Sequence, residues 1–166
     1  YFKKWFGDSK IVGEDGKPLV VFHGSRRGGF TEFDELYERH FFAKDREHAL
    51  TYSGKDKPVD FEDKGWHKKS IYDVYIRLKK PLEVDFKGAV WDIGVEADLG
   101  KGIEDFDGIE HLADVAKDRG YDGIIAHNII DVGEYRTDLD LITPRTEYLV
   151  FDNTNIKSTA NRGTFD

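Results

Sequence analysis

Four residues in this sequence combine a reactive side chain, or its deliberate absence, with a telling position. His23 and Gly24 follow the run Pro18-Leu19-Val20-Val21-Phe22. That run is short and β-favouring enough for a buried central strand. His23 and Gly24 then fall where the strand leaves the sheet, and a glycine there lets a flat ligand lie against bare backbone because no Cβ intervenes. Tyr52 comes three residues after Ala49 on a predicted helix, so the two share a face. A tyrosine at a helix end offers a flat ring for stacking. Glu147 sets a carboxylate near the beginning of a late strand. Arg26 and Arg27, in an otherwise acidic chain, sit in a loop with Ser25, Gly28 and Gly29 and could clasp a diphosphate. Each residue also has an ordinary reading: a core histidine before a turn glycine, a tyrosine at the rim of the core, a glutamate on an edge strand, and a solvated arginine pair.

The elements that must hold these residues can be read in order. Aromatics at positions 2, 5 and 6 form one face of a helical turn that Gly7 ends. Residues 8–12 and the turn 13–17 predict a short strand and hairpin leading to the strand at Leu19. His40-Phe41-Phe42-Ala43 reads as a strand, after which Asp45 is placed to cap a helix over 46–52. The polar stretch 54–69 reads as a surface loop. Tyr72, Val74, Ile76 and Leu78 alternate along a strand, as do Leu82, Val84 and Phe86. Residues 88–108 give no pattern. Leu112, Val115 and Ala116 are spaced for a helix over 109–119 that Gly120 closes. Strands are expected at 124–127 and 146–151, separated by a polar loop at 133–140, and Ile156 is the last apolar anchor. Strands lie close together with little crossover length, so the expected class is α+β rather than a doubly wound parallel sheet. Val20, Val74, Ile76, Ile125 and Val150 are expected to be buried in that sheet.

Composition narrows the possible functions. A chain of 166 residues suits one domain with a single core, so residues 1–166 are expected to be one unit. The lack of a starting methionine leads us to expect a domain cut from a longer protein. With 39% hydrophobic and 35% charged residues the chain should be soluble and folded. No apolar stretch is long enough to span a bilayer, so no membrane partner is expected. Cysteine is absent, which removes disulfides, thiol nucleophiles and cysteine-bound zinc, and suits the cytoplasm or delivery into a host cytosol. Six histidines occur without HExxH or comparable ligand spacing, so no metal is expected. A net charge of −8 repels phosphate backbones. Nucleic acid is therefore not the expected partner, and a bound nucleotide must be held by local groups.

Together the residues resemble a known family. His23-Gly24 at a strand end, Phe41-Phe42-Ala43 with Tyr52 downstream, and Glu147 opening a late strand follow the order of the ADP-ribosyltransferase superfamily, in its diphtheria-toxin and poly(ADP-ribose) polymerase-like branch with a His, Tyr, Glu triad. More narrowly, Trp5-Phe6-Gly7-Asp8-Ser9, GKPLVVFHGS, the Lys-Pro-Leu element at 79–82, GYDGII at 120–125 and TEYLVFDNTNIKS are similar to the ADP-ribosyltransferase domain of phage and mobile-element polyvalent proteins. The resemblance covers about residue 2 to 166.

It implies an ADP-ribosyltransferase fold in which two small, mainly antiparallel β-sheets with flanking helices form a cleft for NAD+, the co-substrate. It also implies roles. His23 would hydrogen-bond the adenine-side ribose, and the Gly24 backbone would hold the nicotinamide amide. Tyr52 would stack on the cationic nicotinamide ring. Glu147 would be the catalytic glutamate, binding the nicotinamide-side ribose and stabilising the oxocarbenium-like charge, as in glycosidases. Ser25, Arg26, Phe41, Phe42 and Ala49 would complete the binding site. Three positions depart from the family pattern: Phe41 replaces a tyrosine, Ala49 a frequent serine, and Arg145 stands where arginine-modifying relatives carry an acid or amide. The last argues against arginine as acceptor. A mono-ADP-ribosyltransferase acting on a protein is the expected activity. An NAD+ glycohydrolase and a non-catalytic nucleotide- or partner-binding module stay open beside it.

Overall fold

Alternating apolar residues on neighbouring strands give the chain a sheet with two apolar faces, and a helix covers one of them. The computed structural model of the chain describes residues 1–25, 32–33, 39–53, 71–131 and 143–160. The elements are α1 (Phe2–Phe6), β1 (Val21–Gly24), β2 (His40–Ala43), α2 (Arg46–Leu50), β3 (Ile71–Ile76), β4 (Pro81–Asp85), β5 (Val95–Asp98), β6 (Ile103–Phe106), α3 (Ile109–Asp118), β7 (Gly123–Ile129), β8 (Arg145–Val150) and β9 (Ile156–Ser158). Seven strands form one sheet in the order β4-β7-β8-β2-β1-β3-β9, and β5 and β6 form a separate hairpin. Every pair except β4 with β7 is antiparallel, in keeping with the expected α+β class.

The large sheet has a seam. Neighbouring strands elsewhere in it share at least three registered residue pairs, but β1 meets β2 at Phe22 and Ala43 only. Beyond that point the Nδ1–H of His23 donates to the Phe41 carbonyl at 2.8 Å, so a side chain takes up a carbonyl that a continued ladder would have used. The seam divides the sheet into a four-stranded part, β4-β7-β8-β2, and a three-stranded part, β1-β3-β9. Where two small sheets were expected, the strands form one seven-stranded sheet with a seam, and the β5–β6 hairpin, a separate ladder, packs Val95, Ala97 and Phe106 into the same core.

One face carries Leu82, Val84, Ile124, Ala126, Ile129 and Leu149 against the α3 residues Ile109, Leu112, Ala113 and Ala116. These four helix residues recur every three or four positions and are at most 2% exposed, which is why a ten-residue helix settles on this face. The other face carries Val21, Phe42, Tyr72, Val74, Ile76, Tyr148 and Val150 with Ile11. Burying such residues stabilises the sheet by about 1.5–3 kcal/mol each. A third small cluster, Ala43, Ala49 and Ile71, seats α2 on the ends of the strands that flank the seam.

Several local expectations need correction. The first apolar strand begins at Val21 and includes His23 and Gly24, because Leu19 is still bonded to Ile11 in the preceding turn. The strand expected over 8–12 reduces to one bridge, Val12 with Pro18, flanked by the Gly13 N–H to Lys17 carbonyl bond at 2.8 Å and the Leu19 N–H to Ile11 carbonyl bond at 3.1 Å. Asp45 occupies the N-cap position of α2 without a capping bond; its carboxylate instead takes Arg145 Nη1 at 3.3 Å. Residues 88–108, patternless in the sequence, supply the β5–β6 hairpin. The loops expected at 54–69 and 133–140 lie outside the described residues.

Candidate active site

A cleft of about 310 Å³ opens at the seam. Its walls are Phe22, His23 and Gly24 of β1, Phe41, Phe42 and Ala43 of β2, Glu147 of β8, and Ala49 and Tyr52 of the α2 segment, with Trp91, Glu110 and Asp131 completing it. His23, Gly24, Phe41, Phe42, Ala49, Tyr52 and Glu147, expected as site residues from positions spread over 125 of sequence, therefore meet at one place. Ser25 is half-buried just past β1 and does not line the cleft. Arg26 and Arg27 lie outside the described residues.

Glu147 stands on an interior strand, so the edge-strand reading of this residue fails. Its register neighbours are Ala43 on β2 and Ala126 on β7, two small side chains that leave room for a carboxyl group. The side chain is 2% exposed, and Oε2 has no hydrogen-bond partner among the described residues. Burial, reinforced by the neighbouring Asp131 carboxylate, raises its pKa well above the usual carboxylate range. The resting cleft thus contains a carboxyl group that favours its protonated form and an oxygen whose hydrogen-bonding capacity is unused.

Asp131 was not singled out by the sequence. A bulge brings it here: Ala126 pairs with Glu147 but Ile129 pairs with Arg145, so β7 spends three residues where β8 spends two. Asn128, at φ 53°, absorbs the extra residue. The shift puts Ile129, and two residues later Asp131, on the face that Glu147 occupies; a regular ladder would have sent Asp131 to the opposite face. The polar pair His127-Asn128 interrupting an otherwise apolar strand was the available signal. Trp91, which joins β4 to β5, and Glu110, in the first turn of α3, carried no comparable mark.

Two residues of the α2 segment, one turn apart, hold Asp131. The Tyr52 hydroxyl donates to Asp131 Oδ1, and His48 Nε2–H donates to the Asp131 carbonyl. Burial first, then the Glu147 and Asp131 charges, raises the Tyr52 pKa, so its hydroxyl remains a donor. Burial lowers the His48 pKa against the opposing pull of Asp131, leaving a neutral ring whose unprotonated Nδ1 has no partner among the described residues.

Gly24 plays a part the sequence reading did not foresee. A Cβ there would stand 1.8 Å from the Ala49 carbonyl oxygen and 3.1 Å from Tyr52 Cβ. The missing side chain therefore lets α2 close onto β1 as well as exposing backbone to the cleft. Ala49 is 1% exposed within the third cluster.

His23 turns away from Glu147. Its ring packs among Phe33, Phe42 and Tyr72, with centroids 5.1, 5.6 and 6.4 Å away, on the second face of the sheet. Burial lowers its pKa, partly offset by the Phe41 carbonyl, so the ring is neutral at pH 7 with its proton on Nδ1. The cleft therefore joins two environments through the seam: Glu147, Tyr52 and Asp131 on one side and an imidazole acceptor on the other. Phe41 is half-buried against the first cluster, and Phe42 is buried in the second. Among the described residues no group of three or more His, Cys, Asp or Glu is placed to hold a metal, and no helix is long and apolar enough to cross a membrane.

Neither a curated protein nor a solved structure matches the chain significantly. The sequence profile of a family described as ADP-Ribosyltransferase in polyvalent proteins does match, over residues 13–165. That span contains β1 with its seam, α2 and β8, and with them every residue of the cleft. The chain belongs to this family of ADP-ribosyltransferase domains.

Proposed function

We propose that the domain transfers ADP-ribose from NAD+ to a protein acceptor with release of nicotinamide, and that it does so as a His, Tyr, Glu enzyme. The observation that carries this reading is Glu147, an enclosed carboxyl group with an oxygen unpartnered among the described residues, in the cleft that Tyr52 and Gly24 also line. Such a group is poorly matched to an empty site and well matched to a cation. A positive ring or sugar beside it favours the ionised form that burial disfavours, so its charge is strongest when charge on the ribose is greatest.

The other residues position the substrate. Tyr52 gives its ring to the nicotinamide, while its hydroxyl is held by Asp131. The Gly24 backbone offers a donor and an acceptor to the carboxamide. Phe41 and Ala49 wall the ring without adding polar contacts, so amide recognition falls more heavily on Gly24. On the far side of the seam neutral His23, protonated on Nδ1, has Nε2 as an acceptor for a ribose hydroxyl. A volume of about 310 Å³ is at the small end of ligand cavities and suits the nicotinamide and its ribose, with the adenosine half following the seam. Arg145 is held by Asp45 and supplies no second acid near the acceptor, in line with an acceptor other than arginine.

The test uses NAD+ labelled in its adenylate part, incubated with the domain alone and with a cell lysate, and Glu147→Ala as control. Label on protein with equal nicotinamide release, lost in the variant, is the expected result. Free ADP-ribose without lysate and no labelled protein would make the enzyme a glycohydrolase. No release from folded protein under either condition would overturn the reading.

A further inference from the structure

The family resemblance assigns no role to Asp131, yet three side chains converge on it. Tyr52 donates to its carboxylate and His48 to its carbonyl, and the Glu147 carboxyl lies beside it. The first two come from positions four apart on the α2 segment, so they share a face and grip Asp131 from the same side. The β7 bulge at Asn128 is what carries Asp131 onto the Glu147 face. Two independent devices, a bulge and a two-point latch, thus serve one side chain.

We propose that Asp131 is the positioning residue of this cleft, fixing the Tyr52 ring through its hydroxyl and acting on Glu147 as the neighbouring carboxylate. The inference deepens the NAD+ reading and rests on it for its catalytic meaning. A tyrosine ring can turn about two side-chain bonds, and a hydroxyl anchored to a fixed carboxylate removes that freedom at the ring's far end. A carboxylate beside a buried carboxyl group disfavours a second negative charge, so Asp131 adds to burial in favouring the protonated form of Glu147 until a cation enters. The other ionisable groups facing Glu147 among the described residues are few. Tyr52 and neutral His48 belong to the α2 segment, Arg145 of β8 is paired with Asp45, Glu110 of α3 lines the cleft, and His23 of β1 is neutral and turned to the other face. Asp131 is the one that combines a charge with contact to both Tyr52 and Glu147.

The test reads the two halves separately. The first measurement is the titration of the Glu147 carboxyl carbon by NMR in the whole domain, assigned with Glu147→Gln and compared between the wild type and Asp131→Asn. Asparagine keeps an oxygen for Tyr52 and removes the charge, so the Glu147 midpoint should fall by about one pH unit or more. An unchanged midpoint overturns the electrostatic half, whether or not the protein turns over NAD+. The second measurement is NAD+ affinity by calorimetry for Tyr52→Phe, Asp131→Ala and the double variant. Each single change should weaken binding by about tenfold, and the double no further, because each breaks the same link. Asp131→Asn should restore most of the affinity. Additive losses, or no loss in Tyr52→Phe, overturn the positioning half. Wild-type protein that binds no NAD+ refutes the proposed function and the positioning half with it, while the NMR titration still decides the electrostatic half.

Discussion

Gly24→Ala adds one methyl group and tests how tightly the cleft is built. The glycine is not in the left-handed region, so the backbone tolerates alanine and the effect is steric alone. The added carbon would meet the Ala49 carbonyl oxygen at 1.8 Å and its carbon at 2.9 Å. Restoring ordinary contact requires α2 to retreat by about 1.5 Å. The obstacle is helix backbone, which cannot rotate aside as a flexible side chain would. Tyr52 Cβ, 3.1 Å from the same point, moves with the helix. Overpacking of this kind costs about 1–3 kcal/mol, and a displacement near 1 Å in a positioning group costs about a hundredfold in rate. Thermal unfolding should therefore fall by about 2–12 °C for a chain of this size. Nicotinamide release should lose about two orders of magnitude in kcat/KM while the far-ultraviolet spectrum stays native. Wild-type melting and wild-type kcat/KM together would refute the claim that α2 is seated through this glycine.

Further outcomes follow from the same geometry. Glu147→Gln should keep NAD+ affinity within a few-fold and lower kcat by about a hundredfold or more, measured as nicotinamide release. The same variant should melt above the wild type at neutral pH. Glu147 in the folded state has its pKa raised above the ordinary 4.5, so the wild type loses stability relative to the variant as pH climbs from that value toward the raised one. The loss runs at about 1.4 kcal/mol per pH unit, and melts that differ equally at pH 4 and pH 7 would contradict it. Tyr52→Ala should weaken NAD+ binding by about 10- to 100-fold in calorimetry, the usual worth of a stacking face. Ser9→Ala, far from the cleft, removes the hydroxyl that accepts from Leu78 N at 3.1 Å and donates to the Ile76 carbonyl at 3.3 Å. Urea unfolding should show a loss of about 1–3 kcal/mol with kcat/KM unchanged.

The parts of this architecture that depend on local pattern are legible in the sequence. Alternation at 72, 74, 76 and 78 and at 82, 84 and 86 reports burial directly, because each position's environment follows from its own repeat; of the helical spacing at 112, 115 and 116, Leu112 and Ala116 are buried and Val115 is half-buried. The convergence of His23, Gly24, Tyr52 and Glu147 comes from family order, since nothing local in four scattered residues says they meet. What escaped depends on pairing between distant strands. The seam exists because β1 and β2 part after one pair, and the role of Asp131 exists because β7 carries one residue too many. Neither is a property of a single segment. Gly24 shows the same limit: its position suggested exposed backbone, while the carbonyl that fills its side-chain space arrives from Ala49, 25 residues away.

The most direct test of the account is a crystal structure of Glu147→Gln with NAD+ bound. The account predicts the nicotinamide ring between the Gly24 backbone and the Tyr52 ring, the substituted side chain at position 147 against the nicotinamide-side ribose, and the adenosine half reaching His23 through the seam. NAD+ lying elsewhere, or a folded variant that takes up none at saturating concentration, would contradict it.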